Sequence, residues 1–388
     1  MAPPHCEIRF DDNPQGVYHG GQVLSGSVEL RLDKPKLVND FRLVISGCGE
    51  VRWSERKGRD RKVTYTGKED LLRAETKLIA ESNSNTEIPA GIHVYNFSSP
   101  IPVNVPTSFE GEHGKIRYTV RAILDRPWKF DQTCTAAFTV LKPLDLNQHI
   151  LSTKERKKEK LVKTFCCWPC SSNPLHIAVE IPVSGYVPGQ KIPITVALNN
   201  TSSTSVVGIK SSLERKVSYI SQYPREKTRV VGKSLASVWT TVTRDEAASY
   251  TQKLEIPSVA PTGKCSVLAI EYFLKVKVHV DGLHSNPKVK IPIMIGTIPY
   301  ALPPMMTTNA AATPYSGDIG WSADVAPDIP SAPVLPPSPT DTEVPPPSYE
   351  EAMHGTAINV NDDEPNAIGF QAFIPRYPVY KFDSAMNK

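Results

Sequence analysis

The sequence is poor in features that would tie it to a membrane, a secretory route or a catalytic site. No basic segment followed by an apolar run stands at its start, where Met1-Ala2-Pro3-Pro4-His5-Cys6 is read, so no secretory signal is expected. Nothing approaches eighteen consecutive apolar residues, which excludes a hydrophobic membrane-spanning helix. Only seven cysteines occur in 388 residues, and three crowd into Cys166, Cys167 and Cys170. An odd, clustered set is no disulfide framework, so a reducing, cytosolic setting is expected. Glycine-rich phosphate loops, nucleophile elbows and acid/base pairs at motif spacing are missing, and no enzyme activity or cofactor is expected. Adjacent cysteines with a lone His176 fit zinc poorly, so no metal is expected.

Proline, in contrast, is abundant, and so is charge asymmetry. Of the 36 prolines, 15 fall after residue 300. Residues 1–300 hold 41 Lys/Arg against 29 Asp/Glu, a net +12, whereas residues 301–388 hold 3 against 11, a net −8. A basic body suits an anionic membrane leaflet or an acidic cargo, and it also allows the acidic tail to rest on the body. The basic residues are dispersed and no recognition motif accompanies them, so nucleic acid is not an expected partner.

The body reads as strand after strand. Ile116, Tyr118, Val120, Ala122 and Leu124 alternate with Arg117, Thr119 and Arg121, the period of a half-buried strand. The same period runs through 192–198, 270–280 and 289–295, with turns at Gly20-Gly21, Pro188-Gly189 and Asp281-Gly282. Pro193 and Pro292 demote their runs toward edge strands. No amphipathic helix is evident. Tyr18-His19-Gly20-Gly21-Gln22 recurs 168 residues later as Tyr186-Val187-Pro188-Gly189-Gln190, each opening an alternating strand, which implies two duplicated domains. The fold class is therefore all-β, with two tandem immunoglobulin-like β-sandwiches. Domain bounds are expected at 6–145 and 173–300, joined by a basic, cysteine-rich linker at 146–172 and followed by a disordered proline-rich tail at 301–388.

Three stretches resemble the arrestin superfamily: Phe97-Ser98-Ser99-Pro100-Ile101-Pro102, Pro106-Thr107-Ser108-Phe109-Glu110-Gly111, and Gly114-Lys115-Ile116-Arg117-Tyr118-Thr119-Val120-Arg121-Ala122. With the duplicated openings, the resemblance covers residues 6–300. Phe10-Asp11-Asp12-Asn13, the cysteine junction and a PPxY motif in the tail are similar to the arrestin-domain-containing group, the alpha-arrestins. The resemblance implies a non-enzymatic adaptor that brings HECT-type ubiquitin ligases bearing WW domains to membrane receptors or transporters, promoting ubiquitination, endocytosis and endosomal sorting. It implies a cytoplasmic location, peripheral at plasma membrane and endosomes. The alternative is a ligase-independent cargo scaffold like the retromer-associated arrestin relatives. Strand 5–10 carries only Arg9 where other arrestins use paired lysines to sense phosphate. The loop from Ser221 to Trp239 lacks the cysteine with which one group member binds thioredoxin.

Pro346, Pro347 and Tyr349 form that PPxY as Pro346-Pro347-Ser348-Tyr349. Proline pre-sets the polyproline II backbone, so docking in an aromatic-lined WW groove orders little more chain. Glu350-Glu351-Ala352-Met353-His354 could form a helical turn after the motif and add contacts. Pro330, Ser331, Ala332 and Pro333 spell PSAP, the tetrapeptide that fits the UEV domain of ESCRT-I. Cys166, Cys167 and Cys170, behind the basic run 154–160, are candidates for S-acylation; buried small hydrophobes are the equal reading. Arg56-Lys57-Gly58-Arg59-Asp60-Arg61-Lys62 reads as a hairpin tip, either simply solvated or in contact with anionic lipid or an acidic cargo tail. Pro375-Arg376-Tyr377-Pro378-Val379-Tyr380 sits among Phe370, Phe373, Ile374 and Phe382, too apolar for pure linker. It could dock on the body, on a cargo or on a WW domain.

Overall fold

The structure, a computed structural model, describes residues 5–11, 13–58, 61–79, 86–167, 170, 171, 173–243, 247–301, 346–353, 358–360 and 372–382. It is an all-β chain of two sandwiches. In the first, one sheet runs in the order β1 (His5–Phe10), β3 (Val23–Leu32), β8 (Gly91–Pro100). Facing it lie β2 (Val17–His19), β11 (Gln132–Leu141), β10 (Gly114–Asp125), β5 (Asp40–Lys57) and β6 (Arg61–Lys77), with β9 (Phe109–Gly111) paired to β10. A short pair, β4 (Lys36–Val38) with β7 (Thr86–Ile88), lies beside them.

The second sandwich repeats the plan. One sheet runs β12 (Lys157–Lys163), β15 (Leu175–Ile181), β17 (Lys191–Asn200), β20 (Ala247–Glu255). The other runs β16 (Gly185–Tyr186), β23 (Lys288–Ile295), β22 (Leu268–Val280), β18 (Val206–Ser221), β19 (Lys227–Thr241), with β21 (Gly263–Lys264) on β22. In both halves a short strand pairs parallel to the last long one, β2 with β11 and β16 with β23. The repeated Tyr-x-x-Gly-Gln has a physical basis. Gln22 Oε1 accepts the His19 amide at 2.7 Å, and Gln190 Oε1 accepts the Val187 amide at 2.9 Å. The glycine before each glutamine takes a left-handed backbone, φ 93° at Gly21 and 89° at Gly189, which explains why glycine stands there twice.

Alternation translates directly into burial. On β10, Ile116, Tyr118, Val120, Ala122 and Leu124 are buried while the residues between them are partly exposed. β22 behaves the same way. Pro193 lies in a central strand, yet β15 stops pairing with β17 at Thr195, so the proline faces an unpaired stretch on that side. β16 likewise reaches only Met294 and Ile295 of β23, leaving Pro292 without a partner strand there.

Between the sandwiches, Leu146–His149 form a 3-10 turn capped by Asp145, and Ile150–Thr153 a single helical turn. Residues 157–163, within the segment expected to be linker, form β12 on the edge of the second sandwich. The backbones of β13 (Cys166–Cys167) and β14 (Cys170–Ser171) pair as a small hairpin. The domains meet through side chains of both. Lys227 pairs with Glu55, Glu69 accepts the Ser266 amide and hydroxyl at 2.6 Å each, and Arg215 lies 5.1 Å from the Phe109 ring centroid.

The tail expectation changes where residues are described. Four strands occur there: β24 (Ser348–Glu351), β25 (Ile358–Asn359), β26 (Ala372–Phe373) and β27 (Arg376–Val379). β24 pairs antiparallel with β27 and β25 with β26. These segments do not stay loose, because Phe373, Tyr377 and Tyr380 bury their rings on the body. Among the described residues no helical turn follows the PPxY; Glu350 and Glu351 are extended, and His354 lies outside the described residues.

Candidate functional site

One strand explains where the tail goes. β11 should alternate, yet its outward residues Thr135, Ala137 and Thr139 are buried along with its inward ones. Ala137 packs with Val360 and Phe373, and the Thr139 hydroxyl accepts the Arg376 amide at 3.2 Å. The tail thus covers the outer face of β11. Small, uncharged Thr-x-Ala-x-Thr on that face was the available sequence signal, since charged side chains there would have opposed burial.

Three tyrosines fasten the tail, and each reaches a different part of the body. Tyr377 is 2% exposed and donates its hydroxyl to the Ser108 carbonyl at 3.0 Å. Tyr380 donates to the Thr297 carbonyl at 2.7 Å, while its amide donates to the Pro188 carbonyl at 3.0 Å. Tyr349, the last residue of the PPxY, shares a 3.1 Å hydrogen bond with His19 Nε2, its ring set edge-on to the imidazole. His19, Ser108 and Thr139 belong to the first sandwich, and Pro188 and Thr297 to the second. The tail therefore bridges both.

The backbone completes the attachment. In the ladder, Ser348 opposes Val379, Tyr349 opposes Pro378, Glu350 opposes Tyr377, and Glu351 opposes Arg376 with a 3.3 Å ion pair. Ser258 Oγ donates to the Glu350 carbonyl at 3.0 Å, and the Met353 amide donates to the Ser258 carbonyl at 2.8 Å. Gly189 leaves room for the chain, since a Cβ there would collide with the Tyr380 carbonyl oxygen. Desolvation pushes the Tyr349 and Tyr377 phenols up, and that of Tyr380 to about 12, so all three hydroxyls stay protonated. The same cause holds His19 below its ordinary 6.5, hence neutral.

Several expected site residues thus come together and others do not. Pro346 is exposed, Pro347 and Tyr349 half-buried. The segment 375–380, which the sequence left open among three docking partners, lies on the body. Its anchor is Ser108 of the Thr107-Ser108-Phe109-Glu110-Gly111 stretch. Ser108 Oγ also accepts the Val140 amide at 2.9 Å, and Glu110 holds Arg117 at 2.8 Å with both side chains largely buried. Pro330, Ser331, Ala332 and Pro333 lie outside the described residues, and so do the side chains of Cys166, Cys167 and Cys170. Sequence reasoning missed His19, Ser108, Ser258 and Thr297 as tail contacts, because three of them act through backbone carbonyls that any residue carries.

Comparison with known proteins agrees with this architecture. The family model described as Arrestin (or S-antigen), N-terminal domain, matches residues 6–147, and Arrestin (or S-antigen), C-terminal domain, matches residues 171–300. Arrestin domain-containing protein 17 of Caenorhabditis elegans is 31% identical over 318 residues, covering 76% of this chain and 70% of its own length. Arrestin domain-containing protein 4 of Mus musculus is 30% identical over 337 residues, 84% of this chain and 79% of its own. Arrestin domain-containing protein 1 of Rattus norvegicus is 27% identical over 337 residues, 84% and 70% respectively. With both sandwiches matched in order and the duplicated openings built alike, this chain belongs to the arrestin family, with the arrestin domain-containing proteins.

Proposed function

We propose that this arrestin-type adaptor recruits a WW-domain ubiquitin ligase of the HECT type through Pro346, Pro347 and Tyr349, while the sandwiches hold the cytosolic part of a membrane receptor or transporter. The tether raises the ligase's effective concentration at cargo lysines, which then lead to ubiquitination, endocytosis and endosomal sorting. The supporting observation is the placement of the motif: Pro346 is exposed while Tyr349 hangs on the body by a hydroxyl contact and a four-residue ladder. A WW groove needs the Tyr349 ring and the adjoining backbone for itself. Docking on the body and docking in the groove therefore compete, and the ligase takes the motif when the tail lifts.

In this reading the protein works in the cytoplasm, at the surface of plasma membrane and endosomes. The Pro330–Pro333 tetrapeptide would add an ESCRT-I contact, and acylation at Cys166, Cys167 or Cys170 a lipid anchor. Calorimetry of a 340–356 peptide against a tandem-WW fragment tests the tether, with Tyr349→Ala as control. Binding by the native peptide and none by the control supports it; no binding by the native peptide removes the ligase from the scheme.

The closed tail favours one second reading, a ligase-free cargo scaffold, because the motif is partly occupied as it stands. A Pro346→Ala/Tyr349→Ala chain separates the two: only the ligase adaptor loses cargo ubiquitination while keeping cargo.

A further inference from the structure

The hairpin between β10 and β11 ends in a turn with an unfavourable residue at its third position. Pro127 is second, Trp128 third with φ 59°, and the Lys129 amide returns to the Arg126 carbonyl at 3.4 Å. Such a turn favours proline second and glycine or asparagine third, so tryptophan there carries backbone strain. The strain is not offset by packing of the ring, because Trp128 is 103% exposed and Phe130 77% exposed. The turn is nonetheless held firmly, as the Arg126 guanidinium donates twice to the Phe130 carbonyl, at 3.2 and 2.7 Å.

Two cations share the turn with the two rings, and others lie close by in the chain. Arg126 and Lys129 flank them in the turn. Lys36 is near enough to both that their charges help hold its ammonium below the ordinary lysine range, after burial, and Lys34 is exposed beside it. Among the described residues no carboxylate pairs with any of these four within ion-pair distance. Of the acids at the turn, Asp125 accepts from the Asn39 amide group at 3.0 Å, while Asp131 is exposed and only adds to the field on Arg42. Asp33 lies close to Lys36, whose ammonium donates to Gln132 Oε1 at 3.3 Å.

We propose that this tip is a membrane-contact element, in which Trp128 and Phe130 enter the interfacial region of a bilayer and Arg126, Lys129, Lys36 and Lys34 lie against anionic headgroups. Two rings on a narrow turn offer about 150–250 Å² each, well short of the roughly 800 Å² per partner of a stable protein interface. The same pair, one indole and one phenyl with cations close by, suits a surface that is apolar below and anionic above. The inference rests on no part of the ligase reading: the tail packs on β11 of the same hairpin at Ala137 and Thr139, not at the tip.

Flotation of the full chain with phosphatidylcholine vesicles, with and without phosphatidylserine, tests it. The turn supplies a discriminating variant: Trp128→Gly suits the backbone better than the native residue, so the fold should be kept or gain in unfolding temperature. The native chain is expected to float with serine-lipid vesicles and weakly with neutral ones. Trp128→Gly should lose about tenfold in partitioning, and Lys129→Glu about fivefold or more. Equal binding by Trp128→Gly, or loss only in the charge variant, overturns insertion of the ring. Absence of native binding to the anionic vesicles overturns the lipid assignment and hands the tip to a protein partner.

Discussion

The Tyr349 hydroxyl and His19 Nε2 lie 3.1 Å apart, which joins the PPxY to the turn that opens the first sandwich. Neither residue is at an end of its network. His19 belongs to the turn closed by Gln22, and Tyr349 to the ladder closed by Tyr377 and Arg376. Disturbing either partner should change how readily the tail leaves.

Removing the Tyr377 ring should free the tail most strongly. Tyr377→Ala deletes a buried aromatic, worth about 3–5 kcal/mol in comparable settings. Tyr377→Phe removes only the bond to Ser108, about 1–2 kcal/mol. Apparent affinity falls with the fraction of binding-competent chain, so tandem-WW capture by the full chain should rise in the order native, Tyr377→Phe, Tyr377→Ala. Calorimetry on full chains and on the isolated 340–356 peptide, which has no body to leave, gives the comparison. Equal affinities throughout would show that docking does not limit capture.

Gly189→Ala should act on the tail from the body side. The new methyl meets the Tyr380 carbonyl, and φ 89° is unfavourable for alanine besides. Increased proteolysis between residues 346 and 382, with a modest fall in unfolding temperature, is the expected result. A protease pattern like that of the native chain would count against the contact.

Tail docking should weaken in mild acid. His19 in the docked state is held below 6.5 by burial, whereas a released His19 titrates near its ordinary value. The docked form therefore takes up fewer protons, and docking is undisturbed above about pH 6.5 and lost progressively as pH falls below it. WW capture by the full chain should thus rise between about pH 7.5 and pH 5.5, and His19→Gln should flatten the rise. The peptide serves as the pH control for the WW fragment itself.

The Arg117–Glu110 pair should be needed for the first sandwich to fold well. Both side chains are nearly enclosed and joined at 2.8 and 3.0 Å, so Arg117→Ala takes the guanidinium fork away from a largely buried carboxylate. A loss of about 3–5 kcal/mol is expected, read as a shift of the denaturant midpoint. Glu110→Gln/Arg117→Met, which removes both charges, should recover much of it.

Much of this was legible along the chain. The period-two runs at 116–124 and 270–280 placed the buried faces correctly, because a strand with one wet face must alternate. The paired Tyr-x-x-Gly-Gln segments announced duplication, because each glutamine closes its own turn, three residues back. The apolar stretch 370–382 marked a docking segment, though not its partner. Alternation, the repeat and composition by themselves determined two all-β domains and a proline-rich acidic tail, since these depend on local pattern and on how much surface a segment can bury. Only the tertiary structure decided where the tail rests. The acceptors for Tyr377 and Tyr380 are backbone carbonyls of Ser108 and Thr297, 269 and 83 residues away in the chain. A carbonyl carries no side-chain letter, and the proximity of such distant positions arises only once the sandwiches have packed.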